Sequence, residues 1–353
     1  MRLEKRNHRS AWAIALAPLG AVVFTLAVTS LLVVWAGAPV GRTYSLLLQG
    51  GFGSVFALSE TLTRAIPLML TGLAAAVAFR ARLFNIGAEG QLYLGAVAAV
   101  AVGGLHGGTG LDVPPALLFV VMVLAAALAG ALLLLGPALM KSQLGVDEVV
   151  TTLLLNFIVL LFVSLMLDGP MKDPTAMGWP QSVSLNPALE LSKLIDQTRV
   201  HTGLLWGATL AVLLWALMKY TVLGFDIRAV GANTRAAAFA GVPVTRTVVA
   251  VAMLSGALAG LAGAIEVAGR TSYLTLDMSP GYGYSGIVIA MLAGLHPLGV
   301  VVSSVFVAGM LVGADSMSRV IGVPTFIADV IVATSLIAVL VATLLTQYRV
   351  RWR

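Results

Sequence analysis

The sequence predicts an all-α polytopic membrane protein of about ten transmembrane helices, with an inverted internal repeat and both termini cytoplasmic. Three observations predict it: the composition, the length of the apolar runs and the placement of the basic residues. Of 353 residues, 59% are hydrophobic and 10% charged, with a mean hydropathy of +0.99; soluble domains run near a quarter charged. The apolar runs are long and continuous rather than alternating, which selects helices over a barrel, because backbone groups in lipid must be satisfied internally. At roughly 20 apolar residues per crossing, a chain of this length holds about ten spans.

The predicted spans are 11–36, 57–79, 86–104, 115–139, 149–167, 203–218, 247–268, 284–295, 298–314 and 326–346. The first follows a basic tail, exceeds the h-region of a signal peptide and ends in no A-x-A site, so it reads as an uncleaved span. Only His296 and Pro297 separate the eighth from the ninth. An even number of spans puts both termini on one side. The N-terminal tail, the connections at 80–82 and 141, the 219–246 stretch and the C-terminal tail hold 14 of the 21 Lys and Arg residues. The other side holds 7: Arg42, Arg64, Lys172, Lys193, Arg199, Arg270 and Arg319. The positive-inside rule then makes the termini cytoplasmic. The chain reads as a single transmembrane domain, 1–353, with a cytoplasmic tail at 1–10, an external loop at 168–200, a cytoplasmic loop at 219–246 and a second cytoplasmic tail at 347–353.

The inverted repeat rests on order. "TGLAAAV" at 71–77 precedes Arg80 and then "GAEGQLYLGAVAAV"; "AGLAGAI" at 259–265 precedes Arg270 and then "GYGYSGIVIAMLAG". In the predicted topology the two copies cross in opposite senses, as in transporters whose pathway lies at a repeat interface.

Several chemistries are excluded or left without support. There is no cysteine, hence no disulfide or thiolate metal site. His8, His106, His201 and His296 are scattered, so no metal site is expected. The net charge of +6 is accounted for by membrane orientation rather than nucleic acid. No GxxxxGK[ST], HExxH or GxSxG occurs, and the glycine-rich run at 103–110 lacks the lysine of a phosphate cradle. No catalytic residue and no resident cofactor is expected.

What remains is a sparse set of polar groups at membrane depth: Glu60, Glu89, Asp147, Glu148, Asn156, Glu266 and Asp277. Such groups are costly in lipid and face a bundle interior or an aqueous path, although each also has a bland reading as a helix cap or ion-pair partner. In "LFNIGAEGQLYLGA" at 83–96, Asn85, Glu89 and Gln91 fall beside two helix-loosening glycines. In "GVDEVVTTLLLN" at 145–156, Thr152 and Asn156 share a helix face and either line a path or bond across helices. Tyr284, among the glycines of "SPGYGYSG", could stack on a base or sugar or anchor at the interface. Gly256, Gly260 and Gly263 are a small-residue packing stripe. The Ala-rich, basic stretch from Gly224 to Gly241 reads as a short cytoplasmic helix ended by Gly241 and Pro243.

Together "LFNIGAEGQLYLGA", "GVDEVVTTLLLNFI", "GFDIRAVGANTRAAAFAGV" and "GYGYSGIVIAMLAGLHPLGV" resemble the permease subunits of ABC importers of the branched-chain amino acid, ribose and nucleoside group, nearest the nucleoside and simple-sugar branch. The resemblance spans residues 84 to 300; the loop at 168–200 carries no matching motif. It implies a multi-pass inner-membrane subunit paired with a second related permease or itself. It also implies two ABC ATPase subunits that bind the ATP, and a periplasmic or lipid-anchored binding protein that delivers a nucleoside, sugar or other small polar solute. It makes the 224–243 stretch a coupling helix, with Gly224, Asp226, Arg228, Gly231, Asn233, Arg235 and Gly241 facing the ATPase, Gly231 at its centre. Asn85, Glu89, Gln91, Thr152, Asn156 and Tyr284 are the expected lining of the path. An ion-coupled secondary transporter, using Glu89 and Glu266, is the alternative reading.

Overall fold

A computed structural model of the chain describes residues 2–5, 23–24, 27–31, 33–35, 37–104, 113–322, 330, 333–334, 337–338, 341 and 348–351. In chain order the principal elements are β1 (Arg2–Lys5), α1 (Val40–Phe52), α2 (Val55–Arg80), α3 (Ala88–Gly103), α4 (Pro115–Leu139), α5 (Glu148–Asp168), α6 (Gly203–Tyr220), α7 (Val222–Ala232), α8 (Thr234–Phe239), α9 (Val244–Glu266), α10 (Tyr282–Leu292), α11 (Pro297–Ile321) and β2 (Tyr348–Arg351). Contacts divide the chain into two compact units, Met1–Thr61 with Phe306–Arg353, and Leu62–Val305.

Among the described residues six helices are long and apolar enough to cross a membrane: α2, α4, α5, α6, α9 and α11. They match the predicted spans at 57–79, 115–139, 149–167, 203–218, 247–268 and 298–314, the last running on to Ile321. The expectations at 86–104 and 284–295 are corrected. There the helices α3 and α10 have 16 and 11 residues, about 24 and 16 Å long, short of a hydrocarbon core of about 30 Å. Most of the predicted spans 11–36 and 326–346, and the glycine-rich run beyond Gly104, lie outside the described residues.

The first unit holds a helix where the sequence predicts a connection. Helix α1 buries Thr43, Leu47 and Gly51, and a side chain at Gly51 would meet the backbone of Gly309 in α11, 3.3 Å from its Cα. Glycines at this contact lower apolar periodicity while allowing the helices to approach closely, which is why the pattern was missed. The chain is all-helical, as expected, apart from one short antiparallel ladder of β1 with β2, Arg2 opposite Arg351 and Lys5 opposite Tyr348. The two ends of the chain are therefore adjacent.

The second unit is built around α9. Its glycine stripe packs backbone to backbone: a Cβ on Gly256 would lie 2.8 Å from Ala131 Cα in α4, one on Gly260 would meet the Ala126 carbonyl, and one on Gly263 would lie 2.8 Å from Ala96 N in α3. Helix α2 is enclosed along Ile66, Leu70, Leu73 and Ala74. On α4 and α5 the pattern is inverted relative to a soluble bundle. Leu117, Leu124, Leu128 and Leu132, and Phe157, Leu161 and Leu165, form exposed apolar stripes at helical spacing, as expected where the solvent is lipid.

Residues 168–201 form an irregular cap. Leu185 N–H donates to Ser272 O at 2.7 Å, Leu191 N–H to Ala268 O at 2.8 Å and Asn186 N–H to Gly103 O at 2.9 Å. These bonds satisfy the carbonyls where α3 and α9 end. The cap buries Leu185, Leu189, Val200 and His201. The unit thus has two distinct ends, the cap with the C-termini of α3 and α9 at one, and Arg80, Lys141, Lys219 and Arg228 at the other.

Candidate functional site

Between Arg80 and Ala88 the chain is not helical, and its backbone donors need partners if this stretch lies in lipid. They find them on one face of α5. Glu148 Oε1 accepts from Phe84 N at 3.1 Å, Thr152 Oγ1 from Ile86 N at 3.2 Å and Asn156 Oδ1 from Gly90 N at 2.8 Å. The three side chains follow at four-residue spacing, so successive turns of one helix hold two donors of the loop and one in the first turn of α3. Asn156 Nδ2 donates back to Ile86 O at 2.9 Å. Lys141 pairs with Glu148 and donates to Arg82 O, closing the end of the clasp.

Asn85 turns the other way. Its amide pairs with that of Gln91 through two 2.9 Å bonds, its Nδ2 donates to Ser255 Oγ of α9 at 3.1 Å, and its Oδ1 also accepts from Gly87 N. Ser255 Oγ in turn donates to Ala74 O of α2 at 2.8 Å. One buried polar network therefore ties the loop to α2, α5 and α9, with its donors and acceptors matched, as a low-dielectric interior requires.

Glu89, in the first turn of α3, has a separate partner. Its Oε2 accepts from Gly283 N in the first turn of α10 at 2.6 Å. Gly283 sits so close that a Cβ there would lie 2.6 Å from Glu89 Cα. The N-termini of the two short helices therefore meet, with the Glu89 carboxyl group between them taking up one of the N–H donors that a first helical turn leaves without an intrahelical partner. Around them Thr71 Oγ1 donates to Tyr282 O at 2.9 Å, Tyr93 OH donates to Leu276 O, and Arg270 bonds both Glu266 at 2.6 Å and Tyr282 OH at 3.0 Å. Non-helical segments precede both short helices, 82–87 before α3 and 272–281 before α10.

Of the six expected path residues, Asn85, Gln91, Thr152 and Asn156 are buried within this network and Glu89 is buried at the meeting of α3 and α10. Tyr284 is 38% exposed, and its OH accepts from Asn156 Nδ2 at 3.0 Å. Glu148 is the member of the α5 face that sequence reasoning did not assign to the site; its spacing four residues before Thr152 was the available signal.

The 224–241 stretch is two helices rather than one. Asn233 is extended and its Oδ1 accepts from Arg235 N and Ala236 N at 3.1 Å, ending α7 and capping α8, because asparagine competes well for orphan donors. Gly224 and Gly231 are packing positions: a Cβ on Gly224 would lie 2.6 Å from Met218 Cα, and one on Gly231 would meet the Arg80 carbonyl, 3.0 Å from its carbon. Gly241 turns the chain at φ +84° after α8. Asp226 and Arg228 are half-buried, and Asn233 and Arg235 are exposed. The residue that stands out was not singled out from sequence: Phe239, at the end of α8, is 96% exposed. A lone phenylalanine in an Ala-rich run carries no periodic signal.

Comparison with known proteins identifies the family of the chain. A family model for the permease component of branched-chain amino acid transport systems matches residues 57–347. The guanosine ABC transporter permease protein NupP of Bacillus subtilis is 34% identical over 341 residues, 96% of this chain and 94% of that protein. The glucose ABC transporter permease protein TsgB13 of Haloferax volcanii is 33% identical over 360 residues, 99% and 93% respectively. The nucleoside ABC transporter permease protein NupB of Lactococcus lactis is 29% identical over 326 residues, 90% and 88%. The chain belongs to the permease family of branched-chain amino acid type transport systems.

Proposed function

We propose that this subunit forms the membrane path of an ATP-driven importer for a nucleoside or simple sugar, with its termini and α7–α8 in the cytoplasm and the 168–201 cap outside. The relatives named as guanosine, nucleoside and glucose permeases support the substrate class. The observation that carries the path is the meeting of α3 and α10 at Glu89. Two short helices of opposite sense, N-terminus to N-terminus, are what an inverted-repeat transporter places at its midplane. Tyr284 faces the solute directly; Asn85, Glu89, Gln91, Thr152 and Asn156 hold the broken segments in register beside it. Two ATPase subunits serve the complex, one of them docking against α8 of this chain, where Phe239 is the apolar anchor and Arg235 pairs with a carboxylate. A second permease, identical or related, completes the path, and an external binding protein sits on the cap.

The test is reconstitution of the complex in liposomes with nucleoside or glucose. Saturable uptake that requires ATP and the binding protein is expected. Accumulation driven by an ion gradient without the ATPase subunits would replace this reading with the secondary-transporter one. Phe239→Ala is expected to weaken ATPase association by at least tenfold with unchanged membrane insertion; unchanged association removes α8 from the interface.

A further inference from the structure

At the end of the second unit opposite the cap, a cavity of about 320 Å³ is lined by Arg80, Lys219, Arg228 and His296 together with Trp215, Met218, Leu295 and Pro297. Three of these residues are arginine or lysine and none of the eight carries a carboxylate. They come from separate elements, the end of α2, the end of α6 and the middle of α7, so the fold itself gathers them. Arg80 and Arg228 are half-buried, so their charges are less well solvated than at an open surface, which favours a neutralising anion. The volume is that of a small-ligand site.

The surroundings indicate where such an anion comes from. The Lys219 ammonium lies 5.0 Å from the Trp215 ring centre and 5.1 Å from that of Tyr220, an arrangement of cation and aromatic rings typical of a headgroup zone. Beside it Tyr220, Val222 and Phe225 are exposed, an apolar rim suited to acyl chains. We infer that this cavity binds the phosphate group of an anionic phospholipid from the leaflet at this end of the bundle. Arg80 and Arg228 supply forked donors to the phosphate oxygens and Lys219 a point charge at the rim.

The purified full-length chain in neutral detergent is titrated with dioleoylphosphatidylglycerol or dioleoylphosphatidylcholine, and retained lipid is read by native mass spectrometry. Preferential retention of phosphatidylglycerol is expected, falling roughly fivefold for each cation neutralised in Arg80→Gln and Lys219→Gln, and kept in Arg80→Lys. Equal preference in wild type and the double variant overturns the inference. If the double variant does not fold, Lys219→Gln alone, whose side chain is exposed, carries the comparison. Displacement of the lipid by millimolar inorganic phosphate would make a free anion the ligand. Unchanged lipid retention with lost ATPase association would make a protein carboxylate the occupant; either result overturns the lipid assignment.

Discussion

Glu89 joins the two short helices, and its removal has a calculable cost. In Glu89→Ala the 2.6 Å bond from Gly283 N is lost. A net hydrogen bond is worth about 1 kcal/mol, and the buried N–H left without an acceptor costs about 2 kcal/mol more. The expected loss is therefore about 3 kcal/mol, since Glu89 is buried and water does not readily replace the acceptor. Glu89→Gln keeps the two methylenes and a carbonyl acceptor at the same reach, so it is expected to lie within about 1 kcal/mol of wild type. Thermal unfolding of the purified protein in one detergent, followed by circular dichroism, ranks the three. Transport in liposomes should fall in the same order, because the half-helices lose their relative register. If the Ala and Gln variants melt together with wild type, the carboxyl group does not join α3 to α10, and the proposed path loses its central support.

Gly231→Ala places a methyl on the Arg80 carbonyl and is expected to cost about 1–3 kcal/mol by overpacking; an unchanged melting temperature would mean that α7 and the end of α2 separate easily. His201, in the 168–201 cap, is buried with its Nε2 unbonded, and burial pushes its imidazole down to about 4 from 6.5. The unfolded chain then binds a proton that the folded chain refuses. Stability is full above pH 6.5 and is lost by up to about 3 kcal/mol as pH falls toward 4. His201→Asn keeps an acceptor for Gly203 N without a titrating ring and should flatten that slope; an equally steep melting profile against pH in the variant assigns the loss to other groups.

The sequence by itself determined that the chain is a helical membrane protein, where its long spans lie, and which segments are polar at membrane depth. Composition and run length decide these because lipid admits few alternatives to a continuous apolar helix. Thr152 and Asn156 were legible as one face, since four-residue spacing is local. That this face holds the backbone of 84–90, with Glu148 as its third member, was not, because the partners are more than 60 residues apart and no local pattern encodes which donor meets which acceptor. The short helices α3 and α10 were read as spans because their apolar content is that of a span. What no local pattern encodes is that they meet end to end, with Gly283 packed against Glu89. Likewise Gly231 and Gly224 read as features of a docking surface, and tertiary packing makes them contacts with α2 and α6. Only the tertiary structure gathered Arg80, Lys219 and Arg228 around one cavity, since charges from three helices converge through the fold and not through the sequence.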